Sequence, residues 1–301
     1  MDQHASTRES EHLSFYSGLA RVSDLQSEPF KQSYKNLSNS QKIFTDHQTK
    51  ILNKDYLERW PTNPLHTWSR IWEYPFVYNS IEKICSTDEF KERDIKIADF
   101  GSGATFFPLT VAKENRDVYC IDHDPVCLQG MEKASQLGIY PHKVHCIQSD
   151  DKQIPAENRF FDIVYSVSVL EHVPQRIAII DEIARILKPG GYFIVTMDLD
   201  MRGDHDIPHS EYRKLMTHLM EKFEVLSQYS PTHPDDLLTP LNSPYGYGAN
   251  ALPYWEHKKV HIKGFLKNVK ARVIKHKKHS LFDTAPFNLY VEGLVCRKKG
   301  D

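Results

Sequence analysis

Short apolar runs alternate with helical periodicity through the middle of the chain. Residues 95–100 place Ile95, Ile97, Ala98 and Phe100 in one run that ends at glycines, which predicts a buried strand. Four more runs predict strands: 117–121 ending at Asp122, 144–148 ending at Asp150 and Asp151, 161–167, and 191–197 after the turn Lys188-Pro189-Gly190. A last apolar run, 288–296, reads as a further strand. Residues 175–187 carry Ile179, Ile180, Ile183, Ile186 and Leu187 at helical spacing. Residues 211–223 do the same with Leu215, Met216, Leu219 and Met220, and Ser210 is placed to cap that helix. Strands alternating with helices predict an α/β fold around a parallel sheet.

Composition narrows the class. Of the 301 residues 40% are hydrophobic and 11% aromatic, enough for a packed core and too much for a disordered chain. No apolar run approaches the length of a membrane span, and the polar first forty residues lack a signal-peptide stretch. Five cysteines without a CxxC pair read as reduced thiols, and together these features point to a cytoplasmic protein. The net charge of -2 is not that of a chain built to coat nucleic acid. Residues 1–93 are polar and then aromatic, holding three of the four tryptophans, whereas 231–280 are rich in Pro and Tyr and then in Lys.

The strongest chemical signal is Asp99-Phe100-Gly101-Ser102-Gly103, where the first strand meets a glycine turn. Glycines there let a ligand approach the backbone. A dinucleotide site wants G-x-G-x-x-G, but Phe106 holds the last position. A carboxylate at Asp99 opposes a pyrophosphate and suits a cation, such as the ammonium and sulfonium of S-adenosylmethionine (SAM). The plain alternative is a tight turn with a capping Asp. Asp122 ends the next strand, placed for a ribose diol, with His123 beside it to cover an adenine face. Asp150 ends the third strand, placed for an adenine amino group. Ligands of open α/β sheets lie at such strand ends.

These residues resemble the class I SAM-dependent methyltransferases. The resemblance rests on Asp99-x-Gly101-x-Gly103, Tyr119-Cys120-Ile121-Asp122, Ser149-Asp150-Asp151 with Ile154-Pro155, Phe161-Asp162-Ile163-Val164, Val169-Leu170-Glu171-His172-Val173 and Leu187-Lys188-Pro189-Gly190-Gly191. It covers roughly residues 94–226 and is similar to the small-molecule and quinone-biosynthesis branch. It implies a Rossmann-like seven-stranded sheet with an antiparallel last strand. Residues 1–93 would form a helical extension or substrate cap. Residues 94–301 would form the SAM-binding domain, with 231–280 as a lid and basic-helix insertion before the last strand. By the same resemblance Asp99, Gly101 and Gly103 line the methionine end of SAM, Asp122 holds the ribose, Asp150 the adenine amino group and Asp151 the adjoining backbone. Thr105 stands where the family has its third glycine.

The expected reaction is methyl transfer to a small molecule, at a hydroxyl oxygen. SAM carries its own leaving group, so the protein's task is alignment, with a base needed when the acceptor must lose a proton. His172 is the base candidate after the fourth strand, and Glu171 shares its ambiguity. A second cluster, Asp198, Asp200, Asp204, His205, Asp206 and His209, reads as a solvated loop, a divalent-ion site or a substrate contact. Within it His205 is the favoured base or hydrogen-bonding residue, and no metal is assigned. Trp68, Arg70, Trp72, Glu73 and Tyr74 either roof an acceptor pocket or pack an extra helix. The glycines of Asn242-Ser243-Pro244-Tyr245-Gly246-Tyr247-Gly248 suit a lid. Residues 256–279 carry nine Lys or Arg and one Glu, with Ile262, Leu266, Val269 and Val273 at helical spacing. That segment is either a solvated face or a docking surface for an anionic acceptor, and an RNA or protein methyltransferase docking through it is the alternative function. Ser166-Val167-Ser168-Val169 stands where enzymes acting on the amino groups of bases carry an Asn/Asp-Pro-Pro-aromatic tetrad, which argues against that chemistry.

Overall fold

The computed structural model describes residues 15–60, 63–150, 152–200, 207, 209–227, 232–245 and 289–300. The amino-terminal part comprises β1 (Gly18–Leu19), α1 (Glu28–Asp46), α2 (Gln48–Ile51), α3 (Lys54–Arg59) and α4 (Arg70–Cys85). The alternating part follows as β2 (Ile95–Phe100), α5 (Phe106–Val111), β3 (Arg116–Asp122), α6 (Pro125–Gln136), β4 (Val144–Gln148), β5 (Phe161–Val167), α7 (Arg176–Ile186), β6 (Leu187–Asp200), α8 (His209–Lys222), β7 (Phe223–Val225) and β8 (Leu289–Lys298).

One eight-stranded sheet runs β1-β8-β6-β5-β2-β3-β4, with β7 also on β8. Strands β2 to β6 pair in parallel, and β8 runs antiparallel to β6. These are the seven expected strands plus the two-residue β1. From β2 the chain winds outward through β3 and β4, then returns to build β5 and β6 on the other side. The sheet therefore changes winding direction between β2 and β5, where open α/β sheets leave a crevice at the strand ends. Every residue of β5 is buried, as a parallel strand covered on both faces should be.

Two apolar layers flank the sheet. One contains Ile179, Ile180 and Ile183 of α7 with Leu215 and Leu219 of α8. The other joins α1 and α4 to the strands in one continuous core. Trp68 and Trp72 are buried in that core, so these two rings pack an extra helix and do not roof a pocket. Trp72 stacks on Phe76 at 4.6 Å, and its indole N–H donates to Asp24 at 2.8 Å. Gly293 of β8 leaves room for them, since a Cβ there would lie 2.7 Å from both rings. Helix α8 begins at His209, so Ser210 sits inside the first turn and does not cap it. Among the described residues no helix is long and apolar enough to cross a membrane.

Candidate active site

The glycine turn sits at the carboxyl end of β2. Gly101 and Gly103 have φ of 74° and 57°, the left-handed region that favours glycine. Gly101 is also constrained by contact, because a Cβ there would come within 2.4 Å of Val169. Thr105 has φ -128° and caps α5, its hydroxyl accepting from the N–H of Phe107. That extended backbone needs no glycine, which accounts for the departure at this position.

Asp99 is 4% exposed, and burial pushes its carboxyl up to about 8. The neighbouring Tyr165 phenol pulls it down, while Asp122 adds to the rise. Among the described residues Asp99 makes no ion pair, which fits an ammonium or sulfonium as its partner. Asp122 is held from both sides: its Oδ2 accepts from Gly103 N–H at 2.8 Å and its Oδ1 from Asp124 N–H at 2.9 Å. Each oxygen retains acceptor capacity toward a diol. The His123 ring is 3.6 Å from Asp122 and largely exposed.

Asp99, Gly101, Gly103, Asp122, His123 and His172 all line one cleft of about 220 Å³. Asp150 does not line it. Its carboxylate is exposed and accepts from the N–H groups of Lys152 and Gln153, which hold it below the usual range. Asp151 and His205 lie outside the described residues, as do Asp204, Asp206 and the whole 256–279 segment. Among the described residues no group of three His, Cys, Asp or Glu side chains is arranged to hold a metal ion.

The cleft also has walls that the motif does not contain. Tyr56, Trp60, Arg70 and Tyr74 line it from the amino-terminal part. The Tyr56 hydroxyl donates to the carbonyl of Ala104 at 3.0 Å and accepts from its N–H at 3.2 Å. Arg59 reaches Asp124 at 2.7 Å. Helix α3 thus grips both loops that carry the cleft's acidic and glycine residues.

On the other side Glu73 of α4 is fully buried and pairs with Arg70. Its Oε1 accepts from Ser168 and from Thr196, each at 2.5 Å. Glu171 is also buried, and burial raises its carboxyl above the ordinary value, with Glu73 adding to the rise. Its Oε1 accepts from the Asp198 N–H at 3.2 Å. The Arg70 guanidinium, paired with Glu73, therefore stands where Glu73 meets Ser168 after β5 and Thr196 of β6, and it also feels the Glu171 and Asp198 charges. Sequence reasoning put Arg70 and Glu73 in an aromatic, charged helix but had no signal for their carboxylate and hydroxyl partners. Not every buried acid belongs here. Asp162 binds Lys188 and Arg93 near the amino end of β5, where it serves the fold.

Residues 98–195 match the model of a methyltransferase domain. Sterol 4-C-methyltransferase strm-1 of Caenorhabditis elegans is 32% identical over 125 residues, 42% of this chain and 33% of that protein. A ubiquinone biosynthesis O-methyltransferase of Aliivibrio fischeri is 30% identical over 111 residues, 36% of this chain and 46% of its own. The chain thus spans between a third and a half of these curated relatives. Among solved structures, the cyclase SpnF shares the fold with a TM-score of 0.51 at 15% identity, covering 95% of this chain and 100% of that one. The CurJ carbon methyltransferase gives 0.50 at 10% identity, covering 93% and 69%.

Proposed function

We propose that this chain, which belongs to the class I SAM-dependent methyltransferases and takes SAM as its cofactor, transfers a methyl group to a hydroxyl oxygen of a small molecule. The observation that carries the reading is the division of the site. Acids on β2 and β3, Asp99 and Asp122, sit where a cationic methyl donor and its ribose bind. Arg70 of α4 and Ser168 after β5 line the same cleft, and Glu73 of α4 holds both of them. The acceptor then lies beneath the amino-terminal helices, which supports a small molecule over a macromolecule. One relative is named a sterol 4-C-methyltransferase and the other a ubiquinone biosynthesis O-methyltransferase, in keeping with a small-molecule acceptor.

SAM supplies an activated methyl group on a sulfonium. Asp99 offers a buried carboxylate to the cationic end, Asp122 offers acceptors to the ribose, and the glycine turn lets the backbone close on the ligand. The protein must also keep the acceptor in line and take its proton. His172, on the cleft wall, is the residue assigned to receive that proton.

The test is incubation of the purified chain with trideuteromethyl-labelled SAM and a cell extract, followed by mass spectrometry. Label on an oxygen in the small-molecule fraction supports the reading. Label confined to precipitated RNA or protein contradicts it.

A further inference from the structure

Trp60 is the residue of the cleft that the motif reading least accounts for. It is 44% exposed, and of the large apolar side chains that are exposed among the described residues (Ile43, Trp60, Leu137, Ile177 and Met220) it alone lines this cleft. An indole left half in water beside a binding cleft is apolar surface available to a ligand.

The surrounding contacts fix where that ring stands. Arg59, its chain neighbour, pairs with Asp124 at 2.7 Å. Asp124 is in turn the chain neighbour of His123, and its side chain caps α6 by accepting from Val126 N–H at 2.9 Å. One ion pair thus ties the segment of Trp60 to that of His123, and both rings line the cleft with Asp122. On the inner side the Tyr56 ring lies tilted against Trp60 with centroids 6.5 Å apart, and its hydroxyl brackets both backbone groups of Ala104 in the glycine turn. Tyr56 is buried, so this bracket is shielded from water.

Resting on the methyltransferase reading, we infer that α3 is a cofactor clamp, in which Trp60 stacks on the adenine of SAM while Tyr56 and Arg59 position the two loops beneath it. Three features favour a planar aromatic ligand at this rim over an acceptor. Trp60 and His123 bring two rings to the cleft, Asp122 beside His123 offers diol acceptors, and the polar groups Arg70 and Ser168 come from other elements, α4 and the end of β5. The Tyr56 hydroxyl is committed to Ala104 and the Arg59 guanidinium to Asp124 and Asp55, so both are positioning residues.

The experiment is a titration of the full chain with S-adenosylhomocysteine, read by tryptophan emission and in parallel by calorimetry. The inference expects a saturable change in emission that is lost in Trp60→Phe, where calorimetry still records binding. Trp60→Ala should weaken binding about tenfold, by loss of stacking. Tyr56→Phe should keep the full emission change at saturation but require several-fold more ligand, which separates positioning from contact. Calorimetric binding with an emission change that persists in Trp60→Phe, or with affinity unchanged in Trp60→Ala, overturns the clamp and leaves the methyltransferase reading standing. Absence of calorimetric binding to the unmodified chain removes both together.

Discussion

The carboxylate of Glu73 on α4 accepts the hydroxyl proton of Ser168 at 2.5 Å, and Ser168 leaves β5 in the left-handed region at φ 47°. A non-glycine residue rarely adopts that conformation without support. The Ser168 N–H also donates to the Thr196 carbonyl at 3.0 Å, so the strained residue is held by both neighbours. The first turn of α4 is thereby tied to the end of β5 and to Thr196 of β6.

Removing that tie is costly. Glu73→Ala removes the carboxylate paired with Arg70 and the acceptor of two buried hydroxyls, with an expected loss of about 3–5 kcal/mol. Glu73→Gln keeps the shape and one acceptor and should cost less. Urea denaturation measures both. Equal stability in Glu73→Ala and the unmodified protein is the contrary result.

The raised Asp99 carboxyl makes ligand affinity depend on pH. A cation prefers ionised Asp99, which is mostly protonated below about 8 in the ligand-free protein. Affinity for S-adenosylhomocysteine should therefore climb as pH rises from 6.5 to 7.5, by at most about tenfold per unit. The sign for stability is opposite. The folded state binds the proton that the unfolded chain releases above the ordinary carboxyl value, so ligand-free stability falls from about pH 4 to about 8. Asp99→Asn should flatten both dependences, and matching slopes in variant and parent would show that another group is responsible.

Glycines at different positions should respond differently to one methyl group. Gly293→Ala drives a Cβ into Trp72 and Phe76, with an expected cost of about 1–3 kcal/mol. Gly138 has φ 63° and nothing within 4 Å, so Gly138→Ala bears only the backbone cost of about 1 kcal/mol. Thermal denaturation of the two variants decides, and a Gly138 variant less stable than the Gly293 one would refute the packing argument.

The buried parallel strands were legible because such strands read as unbroken apolar runs. The expected limits 95–100, 144–148 and 161–167 coincide with β2, β4 and β5. Strand β6 runs further than 191–197 at both ends, because the long β8 keeps pairing with it from Tyr192 to Asp200 and β5 joins it at Leu187. The short β1 and β7 offer too few residues for any period to show. The placement of Asp99, Gly101, Gly103 and Asp122 at strand ends around one cleft was legible because a glycine turn at a strand end has its own residue chemistry. Tyr56, Arg59 and Glu73 were not, since each acts on a residue tens of positions away that only tertiary packing brings near.

Cofactor binding in this cleft is the central claim, and isothermal calorimetry with S-adenosylhomocysteine tests it most directly. One site per chain is expected. Asp122→Ala removes the acceptor proposed for the ribose and unhooks the Gly103 and Asp124 N–H groups, so affinity should fall by about 1–3 kcal/mol. No binding heat with S-adenosylhomocysteine, with saturable binding of NADH in its place, would contradict the account.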